Sequence, residues 1–499
     1  MVSTSANSAP SSRHAAARRS TERHAHRAFR RRLTATIAGL ALLCAGLVVL
    51  DHFQGPKLQG AQIDTARAVT QPNQQLRLFV NEAVAQVQPG QVSVTPSTEF
   101  TTTTTAGVIS VQFRSRLFSG TRYTVAIDGV TSRYDRQTGH VAYSFTTDAA
   151  RVLYLDRADP AVPGEPNDSI IRTGVTGDNR QVLYHARHIQ SFVHFSDVLA
   201  ATIVNDDHTS SLVLVGISDG LVENIVLPGP GAVTQLAVSE GGELGFVFSS
   251  APPTSPPTSP PSSQPGAAAG TAPLRYDKAL LTMNLSGSHI AQPALGLTNL
   301  PISTQAWVFV PEGITAAVLT SDQSLILISP GTKIAPTPLG QYTGLMSAAL
   351  DGRHLVVSDP FGPVSLELAS GQVTRLPPNQ LLGVTPYGGA VQLVGPEQRR
   401  IQEVVILHST TGLFTGYLVL ESGTASTILY QNADQFGNIE RFSVSPNGQY
   451  LAVSVVPDVA ASVSDAYFAA PESTSVTTFI VDIANRKIVR TLAGFSVTW

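Results

Sequence analysis

The chain holds a single cysteine, Cys44, in 499 residues, so no internal disulfide can form and the fold rests on packing and backbone pairing alone. Charge is also scarce: acidic and basic residues make up 13 % of the chain against 42 % apolar residues. With 33 prolines and 40 glycines, this composition argues against helical bundles and long disorder and suits short strands joined by many turns. There is no Gly-rich phosphate loop, dinucleotide fingerprint or Cys-x-x-Cys pair, and no carboxylate pair falls at a helical interval. The sequence therefore names no catalytic, cofactor-binding or metal-binding residue. Its length allows two or three domains with cores of their own.

Charge is unevenly placed. Residues 1–32 hold eight arginines (13, 18, 19, 23, 27, 30, 31 and 32) and one acid, Glu22, a net +7, so the remainder must carry −10 to give the net −3. A mildly acidic body argues against nucleic acid as a partner. Directly after Arg30-Arg31-Arg32 come the eighteen uncharged residues Leu33 to Leu50, closed by Asp51. As a helix they would extend roughly 27 Å, about one bilayer core. Arginines on the flank predict a cytoplasmic tail at 1–32, a transmembrane helix at 33–50 and an exported remainder. The rival reading is a cleaved signal peptide. Against it, the run exceeds a usual signal core, and the small-x-small triplet Ala66-Arg67-Ala68 lies far downstream. Cys44 reads as a small apolar residue of the anchor, since Leu43 stands where a lipidation site needs a small side chain.

Residues 51–72 are polar with Gly and Pro and read as a juxtamembrane spacer. From 73 to 148 the pattern changes to short strands (LRLFV, QVSVT, VISVQF, TRYTVAI, HVAYSFTT), which predicts a small β-sandwich. Phe79-Val80-Asn81, Gly120-Thr121-Arg122-Tyr123-Thr124-Val125 and Ser144-Phe145-Thr146-Thr147 resemble the opening, middle and closing strands of the bacterial Ig-like domain of S-layer proteins. Tyr123 and Phe145 are expected as core anchors.

Residues 149–499 repeat themselves. VSEGGELGFVF (Val238 to Phe248), VPEGITAAVL (Val310 to Leu319), ALDGRHLVVS (Ala349 to Ser358) and VSPNGQYLAVS (Val444 to Ser454) share one shape: a strand end, a turn with Gly, and a new apolar strand. The Gly should take the positive φ of a tight hairpin. Thr385 to Val394 reads as a degenerate fifth unit and Phe195 to Val204 as a sixth without its Gly. Gly313 and Gly352 are 39 residues apart, and units of about 40 to 50 residues offering four short strands signal a β-propeller. Ser445-Pro446-Asn447-Gly448 resembles the WD-like repeat of the TolB type, whose core is Ser-Pro-Asp-Gly before an apolar strand. About seven blades are expected. Phe495 to Trp499 reads as an inner strand whose three companions lie within Arg151 to Ala186, so the ring should close by pairing the two ends. The Pro/Ser/Thr-rich stretch 251–273 should project from one blade between its second and third strands as a spacer or partner loop.

Two constellations tempt a chemical reading. Gly216 to Gly220 (GISDG) fits the hydrolase nucleophile pattern, but it falls in a predicted hairpin turn rather than a strand-to-helix elbow. His185, His188, His194 and His208 gather near one blade beside Asp206 and Asp207, yet their spacing fits no known ligand frame. Trp307 and Trp499 are expected between blades. The sequence thus predicts an all-β protein: anchor, Ig-like stalk, propeller head. Its role would be non-catalytic binding or scaffolding in the cell envelope, with a protein or envelope partner on the propeller face. The alternative is an exported propeller hydrolase or lyase working at the channel mouth.

Overall fold

The computed structural model describes residues 29–45, 55–134, 136–158, 167–252, 275–395, 398–465, 467 and 471–499. Residues 29–45 are helical and exposed. The remainder of the apolar run, 46–50, lies outside the described residues, as do 1–28 of the arginine-rich tail and all but Ala251 and Pro252 of the 251–273 insert. No helix among the described residues is long and apolar enough to cross a membrane. Beyond this segment the chain forms two compact units, parted at Thr147 and Asp148, with residues 118–120 grouped with the second.

The first unit is built from two antiparallel sheets. One runs Leu58–Gln62, Gln75–Val80, Val108–Phe113, Phe100–Thr105, and the other Val92–Thr95, Arg122–Thr131, Thr138–Thr146. Alternation along each strand sends every second side chain inward. Leu76, Leu78, Ile109, Val111 and Phe113 from one sheet therefore meet Val94, Tyr123, Val125, Ile127 and Phe145 from the other in a single core. Tyr123 stacks on Phe145 at 5.8 Å between ring centroids, as core anchors do. The structure differs from the sequence reading over 51–72. That stretch carries the edge strand Leu58–Gln62 and a short helix, Arg67–Thr70, with Ala68 buried. Leu58, Ala61 and Ile63 pack against the core, and the polar residues between them hide the pattern.

The second unit is a β-propeller of seven four-stranded sheets. Blade I combines Arg151–Asp156, Asp168–Gly174 and Gln181–Ala186 with the C-terminal strand Phe495–Thr498, and blades II to VII follow at 189–225, 231–293, 304–341, 344–375, 387–431 and 438–493. Consecutive first strands lie against one another around blades II to VI, and Phe495–Thr498 lies against Ile189–Phe195, so these strands form the inner wall. Closure works through Phe495 opposite Leu155 and Thr498 opposite Leu153. Second and third strands are largely buried because each blade is covered on both faces, and most of them are rich in apolar residues. Tyr450–Val456, for example, buries six consecutive residues from Leu451.

The hairpin turns match the sequence pattern with two corrections. Gly242, Gly352 and Gly448 hold φ of +80°, +67° and +68°, but in the Val310 to Leu319 unit Glu312 takes the left-handed position at +69° instead of Gly313. Thr385 to Val394 is not a turn-strand unit: Tyr387–Leu393 is itself the first strand of blade VI, with a bulge between Gly388 and Val391. Glycine suits that bulge because a Cβ on Gly388 would stand 2.7 Å from Gln402 Nε2. Trp307 packs between blades over Gly245, while Trp499 stacks on Tyr450 of blade VII at 6.1 Å and donates from Nε1 to Ser443 Oγ at 3.2 Å.

Candidate binding face

Antiparallel order within each blade sorts the connections onto two rims. Turns from first to second and from third to fourth strands share one rim, while links from second to third strands and between blades share the other. The glycine turns belong to the first rim. The second receives the longer connections, at 157–167, 251–278, 294–303, 376–386 and 457–476.

This long-loop rim is also where aromatic side chains face water. Among the described residues between Asp148 and Trp499, the large exposed aromatics are Phe361, Tyr387, Phe414 and Phe436, at 85 %, 62 %, 47 % and 56 % exposure, and all four sit on it in blades V to VII. The opposite rim exposes aliphatic side chains, among them Leu221 and Val222 in blade II, Ile290 in blade III and Ile334 in blade IV. On the long-loop rim the groups of blades VI and VII adjoin. Tyr387 and Phe414 make an edge contact at 6.4 Å, Leu407 pairs with Phe414, Thr411 Oγ1 donates to Gln435 Oε1 at 2.9 Å, and the Val459 amide donates to the Phe436 carbonyl at 3.0 Å.

Short polar side chains hold two of these rings, Phe361 and Phe436, outward. Asp359 Oδ1 accepts the Phe361 amide at 2.8 Å, and Asp434 Oδ1 accepts the Phe436 amide at 2.9 Å and that of Gly437 at 3.3 Å. In each turn the aspartate two residues upstream fixes the backbone and leaves the ring in solvent. Arg375 clamps Asp359 through both oxygens, at 2.7 and 2.6 Å, and stands 5.4 Å over the Phe361 ring. These Arg375 hydrogen bonds hold the Asp359 carboxyl below its ordinary range. A surface ordered in this way loses little conformational freedom when it is covered.

A buried polar cluster lies on the same rim at the ring closure. Arg157 Nη1 bonds Asp465 Oδ2 at 2.5 Å, Nη2 donates to the Gln190 carbonyl at 3.0 Å, and the guanidinium lies 3.6 Å over the Tyr467 ring and 4.9 Å over Phe495. Asp168 accepts the amides of Ala158 and Ile189, at 3.0 and 2.7 Å, and the Tyr467 hydroxyl. Burial, then the bond to Asp168, push the Tyr467 hydroxyl far above its ordinary pKa, so it stays a neutral donor. Every carboxylate oxygen here is already bonded. The cluster joins blade VII, blade I and the start of blade II, and works as a second lock on the ring.

The residues singled out by sequence fall apart in space or into plain roles. The Ser218 hydroxyl of GISDG sits in a third-to-fourth-strand turn and donates to Asp197, with no histidine among its bonding partners. His185 lies on an outer strand, His188 in a turn against Tyr467, and His208 in a turn where Asp207 accepts from Thr209. His194, on the inner strand of blade II, meets Thr498 Oγ1 at 3.3 Å; burial and then Arg172 hold its pKa below the ordinary value. Among the described residues no three His, Cys, Asp or Glu gather as a metal-holding group. Sequence reasoning passed over the rim aromatics and the Arg157 cluster. Asp-x-Phe, in Asp359 to Phe361 and Asp434 to Phe436, is the local signal that could have found the former.

No protein-family model matches the chain, and no curated protein matches it significantly. Among solved structures, the β-propeller domain of the Trilobed protease from Pyrococcus furiosus covers 73 % of this chain and 91 % of its own at 8 % identity, with a TM-score of 0.40. TolB from Acinetobacter baumannii covers 74 % and 76 % at 12 % identity, with a TM-score of 0.34. Apo AztD from Citrobacter koseri covers 74 % and 93 % at 10 % identity, with a TM-score of 0.32. Similarity at this level carries no argument about chemistry, and the architecture above rests on strand pairing alone.

Proposed function

We propose that this protein is a membrane-anchored, extracytoplasmic binding or scaffolding protein, and that the long-loop rim of blades V to VII docks a partner protein. One observation carries the reading: the large aromatics exposed among the described residues between Asp148 and Trp499 all lie on that rim, two of them, Phe361 and Phe436, held outward by bonded turns. Exposed apolar side chains gathered on one face mark interaction sites. The anchor rests on the uncharged run 33–50 behind three arginines, which would leave 1–32 cytoplasmic and send both β units outward. An Ig-like character for the sandwich rests on its sequence resemblance and its two facing sheets. The rival hydrolase reading has less support, because the titratable groups at the ring closure, Asp168, Asp465 and Tyr467, are engaged with one another and with the backbone.

The test uses two variants of the tagged full chain, F361S/F414S/F436S on one rim and L221S/I334S on the other. Surface changes of this type cost within about 0.5 kcal/mol each, so both should fold. Partner capture from the native lysate should vanish with the first and persist with the second. Equal capture by both would refute the assignment.

A further inference from the structure

Blade closure leaves a recess between blades III and IV that the aromatic rim does not account for. It is an open recess of about 400 Å³ at the surface, lined by Thr234, Gln235, Val247, Ser249, Lys278, Thr304, Gln305 and Ser321. Its origin lies in the inner strands. The first strand of blade III slips register between Thr234 and Ala237, and that of blade IV between Thr304 and Ala306. The extra residues thrown out of the ladders include Gln235 and Gln305. Gln235 Nε2 donates to the Gln305 carbonyl at 3.2 Å, so the two bulges brace each other. Bulges re-aim the chain locally, and here both bulged glutamines border one recess.

The backbone of the wall is strained as well. Gln235 and Lys278 hold φ of +50° and +49°, a left-handed conformation that costs a residue with a Cβ about 1–2 kcal/mol. The Lys278 backbone is kept in place because its N–H donates to Ser249 Oγ at 3.1 Å and its carbonyl accepts the Thr304 amide at 2.9 Å.

From this geometry we infer that the recess binds a carboxylated sugar, a uronic-acid-type ligand. Lys278 is the one cation of the lining, forms no ion pair among the described residues, and shares the recess with no carboxylate; neither Asp277 nor Asp322 lines it. A single ammonium suits one carboxylate and is too little for a polyphosphate. Hydroxyls from Thr234, Ser249 and Ser321 and the amides of Gln235 and Gln305 both donate and accept, which matches sugar hydroxyls. Among the described residues no aromatic lines the recess, so a stacked nucleobase is not served. Its volume lies within the ordinary range for small-ligand sites.

Titration of the full chain with D-glucuronate, D-glucose and inorganic phosphate, followed by calorimetry, tests the inference. Glucuronate should bind saturably, glucose at least about tenfold more weakly, and phosphate should not displace glucuronate. Lys278→Met should weaken glucuronate about ten- to a hundredfold, as loss of a charged hydrogen bond does, with the melting temperature unchanged. Gln305→Ala, which leaves the cation in place, should weaken it several-fold and serves if the first variant fails to fold. No saturable glucuronate binding, full affinity in both variants, or displacement by phosphate at equal concentration would overturn the inference. Because the recess is on blades III and IV, these outcomes are independent of partner capture by the aromatic rim.

Discussion

Deleting Phe495 to Trp499 should cost the ring much of its stability. Phe495 and Val497 are 5 % and 9 % exposed, and Phe495 packs with Leu153, Leu155 and Ile189 in the core beneath the closure. Losing a buried Phe side chain costs about 3–5 kcal/mol, and a buried Val adds about 1.5–3 kcal/mol. The sum, about 5–8 kcal/mol, is comparable to the whole stability of many domains. For a unit of roughly 350 residues, an unfolding entropy of about 2.1 cal/mol/K per residue gives about 0.7 kcal/mol/K, so the melting temperature should fall by about 7–11 °C. Calorimetry reads that shift. Hydrogen exchange locates it, because the strand Arg151–Asp156 becomes a bare edge and its amides should lose protection. A melting temperature within about 2 °C of the intact protein, with that strand still protected, would refute the closure argument.

Other perturbations follow from the same contacts. Arg157→Met leaves Asp465 buried without its cation and should cost about 3–5 kcal/mol in urea unfolding; a cost under about 1 kcal/mol would show that the cluster is not a lock. His194 has a folded pKa below the ordinary imidazole value, so the unfolded chain takes up the proton first. Its contribution is therefore complete above about pH 6.5 and is lost as pH falls through that value, and His194→Asn should flatten the melting temperature between pH 7 and 5. A profile that keeps its slope in the variant would discount His194. Gly245→Ala places a Cβ 2.4 Å from Trp307 Cη2 and should destabilise by about 1–3 kcal/mol, whereas a neutral result would mean the two blades have room to spread.

The parts of the molecule written in consecutive residues were the legible ones. A Gly-centred turn followed by an apolar strand is a local device, so the hairpins at Gly242, Gly352 and Gly448 and the missing strand supplied by Phe495–Thr498 could be read from spacing. Glycine serves bulges as well as turns, and that double use produced the misreading at Thr385 to Val394. Phe100–Thr105 escaped notice because its five threonines look like a polar connection, although their β-branched side chains favour a strand. The binding face was hidden for a different reason. Phe361, Tyr387, Phe414 and Phe436 are single aromatics in turns or at strand starts well apart in the chain, and only the ring brings them to one rim. Arg157 and Asp465 stand 308 residues apart in the chain, and Gln235 and Gln305 stand 70 apart, so no local pattern could join either pair.

Photo-crosslinking offers the most direct measurement of the central claim, that one rim of the propeller does the binding. A photoreactive residue placed at Phe436 on the aromatic rim should crosslink a partner in native cells, while the same residue at Asp219 on the opposite rim should yield none. Crosslinks from Asp219 with none from Phe436 would contradict it.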